Sequence, residues 1–261
     1  NTALTSLTIN SDGSGTIEIT NTTAVGDISV GNSNTATLTL DGTAYTTTAT
    51  NAAQTYIADD YNLTGADITF TTSAGVVTFL DGGTDGSIDL ADAADLTINS
   101  TGGNILIYVP IFGTAGGVST DVTLNAVAGN VTIEDIRTDI NDIAITGTAI
   151  TLDGTIETAD LSGSDPGDVT LTGAVVLGDN ITIDTDSGNG AITFVGSSST
   201  VNATDSGSQS LTINSGTGAI AMQGIIGGSV PLDSISINST TGAGTIEVAN
   251  IGSGTVGVSG N

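Results

Sequence analysis

The stretch Leu211-Thr212-Ile213-Asn214-Ser215-Gly216-Thr217-Gly218-Ala219-Ile220 contains the formula from which the chain is built. An apolar-Thr-apolar triplet is followed by Asn, a glycine-bearing turn and a second alternating pair, Ile220 and Met222. In an extended strand such alternation sends Leu211 and Ile213 to one side and Thr212 to the other. The triplet recurs at intervals of 24 to 31 residues, as Leu7-Thr8-Ile9, Leu38-Thr39-Leu40, Ile68-Thr69-Phe70, Leu96-Thr97-Ile98, Val122-Thr123-Leu124, Ile150-Thr151-Leu152, Ile181-Thr182-Ile183, Leu211-Thr212-Ile213 and Ile235-Ser236-Ile237. Every middle residue is Thr or Ser, and self-similarity at this period marks a stack of like units.

Two further alternating pairs follow the triplet in most units. Ile105/Ile107, Val131/Ile133 and Ile192/Phe194 belong to the first set, and Ile28/Val30, Ile88/Leu90 and Ile143/Ile145 to the second. Between triplet and second pair lie Gly and Asx turns such as Thr101-Gly102-Gly103 and Ala128-Gly129-Asn130, residues that tolerate the backbone angles of tight corners. The pattern predicts an all-β fold: a single-stranded parallel β-helix of about nine coils, each of 24–31 residues with three short strands, running through residues 1–261 as one unit. A β-sandwich has strands and turns at similar density, but its strands do not repeat one sequence at a fixed period.

Composition narrows function. One Lys or Arg against 28 Asp and Glu gives a net charge of -27, which repels nucleic acid phosphates and anionic membranes. The 38% hydrophobic content, regularly alternating, supplies the core that a disordered acidic chain lacks. With no Cys, neither a disulfide framework nor a thiolate metal site is available, so stability rests on stacking. No apolar run reaches the roughly 18 residues of a membrane-spanning helix, so direct membrane insertion is not expected. The sequence begins at Asn1 without a signal-like segment, and reads as a matured subunit or an internal segment of a larger secreted protein.

The units Leu211 to Ile220 and Ile181-Thr182-Ile183-Asp184-Thr185-Asp186-Ser187-Gly188-Asn189-Gly190-Ala191-Ile192-Thr193-Phe194 resemble repeats of large bacterial surface proteins of the filamentous haemagglutinin-like type. The likeness extends over most of the chain. It implies a secreted, extracellular β-helical rod at a bacterial cell surface, serving as a filament or adhesin stalk. A single tandem-like stretch, Gly82-Gly83-Thr84-Asp85-Gly86-Ser87-Ile88-Asp89-Leu90, departs from calcium-binding nonapeptide repeats at Asp85 and Ser87 and stands alone.

Catalysis is not expected. Polysaccharide-processing β-helices need carboxylates with basic partners, and here Arg137 is the sole basic residue, without Lys or His. No cofactor is required by the sequence. The one candidate ion is Ca²⁺, on the column two residues before each triplet's central Thr. There Asp67, Asp95 and Asp121 fall on successive coils about 5 Å apart, and their mutual repulsion invites a hard cation. Asp153 and Asp184 form a second, weaker acidic pair in an Asx-rich row that follows the triplets.

Two stretches break the alternation, 45–61 with Tyr45, Tyr56 and Tyr61, and 108–117 with Tyr108 and Phe112. Excursions from a rigid scaffold are where recognition concentrates, so these aromatics are the candidate contacts for a host or neighbouring-cell glycan or protein. The alternative reading of the same residues is a bulged coil whose aromatics cover the core. Open strand edges at the coil ends also predict self-association into filaments.

Overall fold

A computed structural model describes residues 3–10, 14–116, 120–137, 139–158, 167–185, 188–238 and 244–252. Among them every secondary-structure element is a β-strand, and every pairing between strands is parallel. The chain winds through three faces in order and returns one coil further on. Successive strands of the first face are Ile28–Gly31, Gln54–Ala58, Val77–Asp81, Ile105–Ile107 and Val131–Ile133. The second carries Thr35–Leu40, Asp60–Leu63, Ser87–Leu90, Ile111–Phe112 and Ile136–Arg137. On the third lie Ala44–Thr47, Ile68–Thr72, Leu96–Ser100 and Val122–Ala126.

The chain is therefore a parallel β-solenoid of about nine turns, as the repeat predicts. The strands form sheets of 17 and 10 strands. The larger sheet holds both the third and the first face, because Ile143–Leu152 and Val169–Leu177 cross the corner between them without a break. A register shift between Thr146 and Ala149 makes that bend. In the neighbouring coil Gly173 has a φ of 143° there, and a Cβ on it would lie 1.9 Å from the Gly147 carbonyl oxygen.

The register differs from the triplets taken as one column. The Leu7–Ile9 strand and Ile150-Thr151-Leu152 are on the first face; Leu38, Ile181, Leu211 and Ile235 are on the second; Ile68, Leu96 and Val122 are on the third. The triplet marks a strand that is followed by a turn, and the face it occupies changes along the rod. Coil lengths follow the true register: Val77 stacks on Ile105, whereas Val131 stacks on Ile150 after a shorter loop of chain.

Inward rows make one continuous core from Ile19 to Leu232. Ile68, Leu96, Val122, Ile143, Val169, Ile192 and Ile220 stack along the third face, each essentially without exposed area. Fully burying each such side chain stabilises the fold by roughly 1.5–3 kcal/mol. Where the core meets a wide turn, a buried hydroxyl ends the inward row. Thr72 and Ser100 both donate to the Gly75 carbonyl, Thr185 to that of Gly190 and Ser215 to that of Gly218, at 2.7–3.0 Å. These bonds satisfy turn carbonyls that the strand ladder leaves open.

Glycine follows for a steric reason. Gly75, Gly103 and Gly129 stack at one corner, where a Cβ on Gly103 would sit 2.1 Å from the Gly75 oxygen and one on Gly129 1.9 Å from the Gly103 oxygen. Coils can approach to ladder distance there only without side chains. Gly103→Ala is expected to lower stability by about 1–3 kcal/mol, as overpacking does, whereas outward-facing Thr97→Ala costs under about 0.5 kcal/mol. Urea denaturation of both variants checks this, and equal midpoints would contradict the steric account.

Candidate functional site

The five candidate aromatics separate into two groups. Tyr45, Tyr56 and Tyr61 have no exposed area and lie on regular strands, so stretch 45–61 is not an excursion. Tyr45 stacks on Phe70 of the next coil at 5.0 Å, and Tyr56 on Phe79 at 5.0 Å; Phe70 and Phe79 meet edge to face at 5.2 Å. The alternation is lost in the sequence because Gln54 replaces an apolar residue in the inward row between Ile28 and Val77. Its amide nitrogen donates to the carbonyls of Tyr45 and Thr71, and its oxygen accepts from the Tyr56 hydroxyl at 3.0 Å. The Tyr45 hydroxyl donates to the Ile19 carbonyl and accepts the Gly42 amide proton. Burial pushes its pKa up to about 12, and raises those of Tyr56 and Tyr61 as well. A surface ligand cannot reach these three rings in the folded chain, which corrects their placement in a binding site.

Tyr108 and Phe112 are different. Tyr108 is 39% exposed, and Phe112 is half-buried on the outer side of the second face. With Pro110 they line a groove of about 410 Å³ whose remaining walls are Asp81, Asp85, Gly86, Glu134 and Asp135. Three coils build it at the corner between the first and second faces. Tyr108 follows the strand Ile105–Ile107 just as Glu134 follows Val131–Ile133, and these strands are paired, so the phenol and the carboxylate come from stacked positions. Asp85 occupies the left-handed region at φ 66° in the turn below.

Electrostatics follow from this crowding. Glu134 has its pKa raised by burial and by the charges of Asp135, Asp153 and Asp81. Arg137 offsets only part of this charge, through a 2.8 Å ion pair of its Nη2 with Asp135 Oδ1, as its acidic neighbours in sequence suggest. Asp60 is raised by burial and by Asp59, Asp89 and Asp81, and Asp153 by burial and Asp179.

The candidate calcium column is in register: Ile68, Leu96 and Val122 are paired, so Asp67, Asp95 and Asp121 stack. The same pairing runs on to Ile143 and Val169, which adds Asp142 and Asp168, missed in sequence because the nine triplets leave the third face after Val122. The carboxylates do not converge, however. Asp95 Oδ1 accepts the Asp121 amide proton at 2.9 Å, Asp121 Oδ1 that of Asp142 at 3.0 Å, and Asp142 Oδ1 that of Asp168 at 2.8 Å. Each is turned along the axis as a cap on the next coil. Among the described residues no group of three or more His, Cys, Asp or Glu is disposed to hold a metal ion. Asp153 and Asp184 are not neighbours: Asp153 follows the first-face strand that ends at Leu152, and Asp184 pairs opposite Glu157 on the second face.

What fold and site define is a β-solenoid repeat protein, strongly acidic in sequence, with an aromatic groove among its described residues. Comparisons with protein-family models, curated proteins and solved structures return no match.

The raised carboxylates have a pH signature. Asp60, Asp95, Glu134 and Asp153 bind protons more tightly folded than unfolded. The native state then carries more protons in the window above the ordinary carboxylate range, so stability falls as pH rises through it. The thermal midpoint is expected to climb as pH is lowered from about 7 to about 5. Asp95→Asn keeps the acceptor for Asp121 and removes the charge between Asp67 and Asp121; it should raise the neutral-pH midpoint and flatten the slope. Calorimetry across that range decides, and a midpoint that falls on acidification contradicts the assignment.

Proposed function

We propose that this chain is a non-catalytic extracellular rod, part of a surface filament or adhesin stalk of the filamentous haemagglutinin-like kind. The observation that carries the reading is the unbroken axial ladder: the first-face strands pair in sequence from Leu7 to Ile226, over one continuous core. An architecture with one long axis suits separation of two points in space. The charge of -27 favours solubility of such a rod.

Association through coil edges belongs to the same proposal. The strand Ile246–Ile251 is exposed along most of its length, with Ile246 at 46% and Ile251 at 54%. A further coil, from a second copy or from a longer chain, covers that apolar edge in the filament. The described coils alone correspond to a rod of about 43 Å at roughly 4.8 Å per coil. Negative-stain microscopy at low micromolar concentration, with and without millimolar Ca²⁺, is the test. Filaments or single elongated rods are the expected images, and long filaments favour edge association. Globular particles would overturn the rod, and rods seen only with Ca²⁺ would restore an ion to the assembly.

A further inference from the structure

We propose that the groove lined by Tyr108, Pro110 and Phe112 together with Asp81, Asp85, Glu134 and Asp135 receives the lysine or arginine side chain of a partner protein. The inference goes beyond the rod, and its failure leaves the rod intact. Three observations fix the chemistry of the occupant. First, the lining combines two aromatic rings and a proline with four carboxylates, a composition that suits an organic cation with an apolar stem. An ammonium or guanidinium over a ring face gains from the quadrupole, and its methylenes cover ring and proline surface. Second, the carboxylates surround the groove without converging, and no described group of three or more potential ligands is placed to bind a metal ion. Charge is offered around a volume of about 410 Å³, larger than a bare ion needs and adequate for a long side chain.

Third, the lining is under-neutralised. The Glu134 carboxylate has no hydrogen-bond partner among the described residues, and its ionisation is opposed first by burial and then by the charges of Asp135, Asp153 and Asp81. An incoming cation relieves that repulsion. A second copy of these 261 residues cannot supply it, because the sequence holds a single basic residue, Arg137, already engaged with Asp135. The occupant is therefore a different molecule, with a basic side chain on an exposed segment. Tyr108 is the one exposed tyrosine of the four, so its emission reports occupancy directly.

The probe is a fluorescein-labelled peptide alternating Gly with Arg and Lys, titrated by anisotropy at about 0.15 M salt, where the Debye length of about 8 Å suppresses attraction by distant charge. Wild type is expected to bind. Tyr108→Ala with Phe112→Ala, and separately Glu134→Gln, should each weaken binding about tenfold, the order of one cation–π contact or one charge contact. Asp205→Asn, which removes a charge far along the rod, should change it less than about twofold. Should the double variant melt early, Tyr108→Ser at the exposed position alone repeats the test. No peptide binding, or equal losses in Glu134→Gln and Asp205→Asn, would overturn the proposal. So would unchanged binding without the rings, displacement of the peptide by micromolar Ca²⁺, or free arginine methyl ester binding as tightly as the peptide.

Discussion

Axial register is the constraint on which the rest of this molecule depends. Each strand hydrogen-bonds to the strand of the same face one coil away, so every residue rests about 4.8 Å from a partner whose identity it must tolerate. Rows then become uniform for physical reasons. Ile and Leu stack on Ile and Leu in the core, rings on rings from Tyr45 to Phe70, and glycine on glycine from Gly75 to Gly129. Aspartate stacks on aspartate only because each carboxylate caps the next coil's amide, which offsets part of the repulsion it suffers from its neighbours. The pKa of Asp95 is raised first by burial and then by the charges of Asp121 and Asp67, with the Asp121 amide acting in the opposite direction.

The repeat and the three-strand coil were legible in the sequence because period-two alternation needs no tertiary context. Face assignment was not. The triplet with its turn looks the same on different faces: it lies on the third face at Ile68 and on the second at Ile181. Nothing local distinguishes the two; only the corner-crossing strands Ile143–Leu152 and Val169–Leu177, long for a solenoid of short strands, hint that the phase slips there. A usable signal lay in the buried hydroxyls: Thr72, Ser100 and Ser215 each stand three residues before a turn glycine and bond to it, Thr72 and Ser215 by donating to the Gly75 and Gly218 carbonyls and Ser100 by accepting the Gly103 amide proton.

The candidate aromatics were legible as a set and divided only by structure. A break in alternation has two causes that look alike in one dimension. Around Tyr45 to Tyr61 it reflects a polar residue, Gln54, turned inward and satisfied by three partners. Around Tyr108 it reflects a ring left outside, at a corner where the chain runs on directly to Ile111. Hydrogen bonding separates the cases: in the first group the Tyr45 and Tyr61 hydroxyls bond to backbone and that of Tyr56 to the Gln54 side chain, whereas Tyr108 and Phe112 line a groove with carboxylates.

The two corner-crossing strands also set how such a rod would carry load. Tension along the axis runs parallel to the interstrand hydrogen bonds, so coils part by peeling, a few bonds at a time, and not by shearing whole sheets. Where short strands meet at glycine turns, as at Gly103 and Gly129, a peel front advances in small steps. At Ile143–Leu152 against Val169–Leu177 two faces are joined through one uninterrupted backbone, and the front must release both together. The middle of the rod is in that sense a mechanical stop, toughened by connectivity in a chain without cysteine.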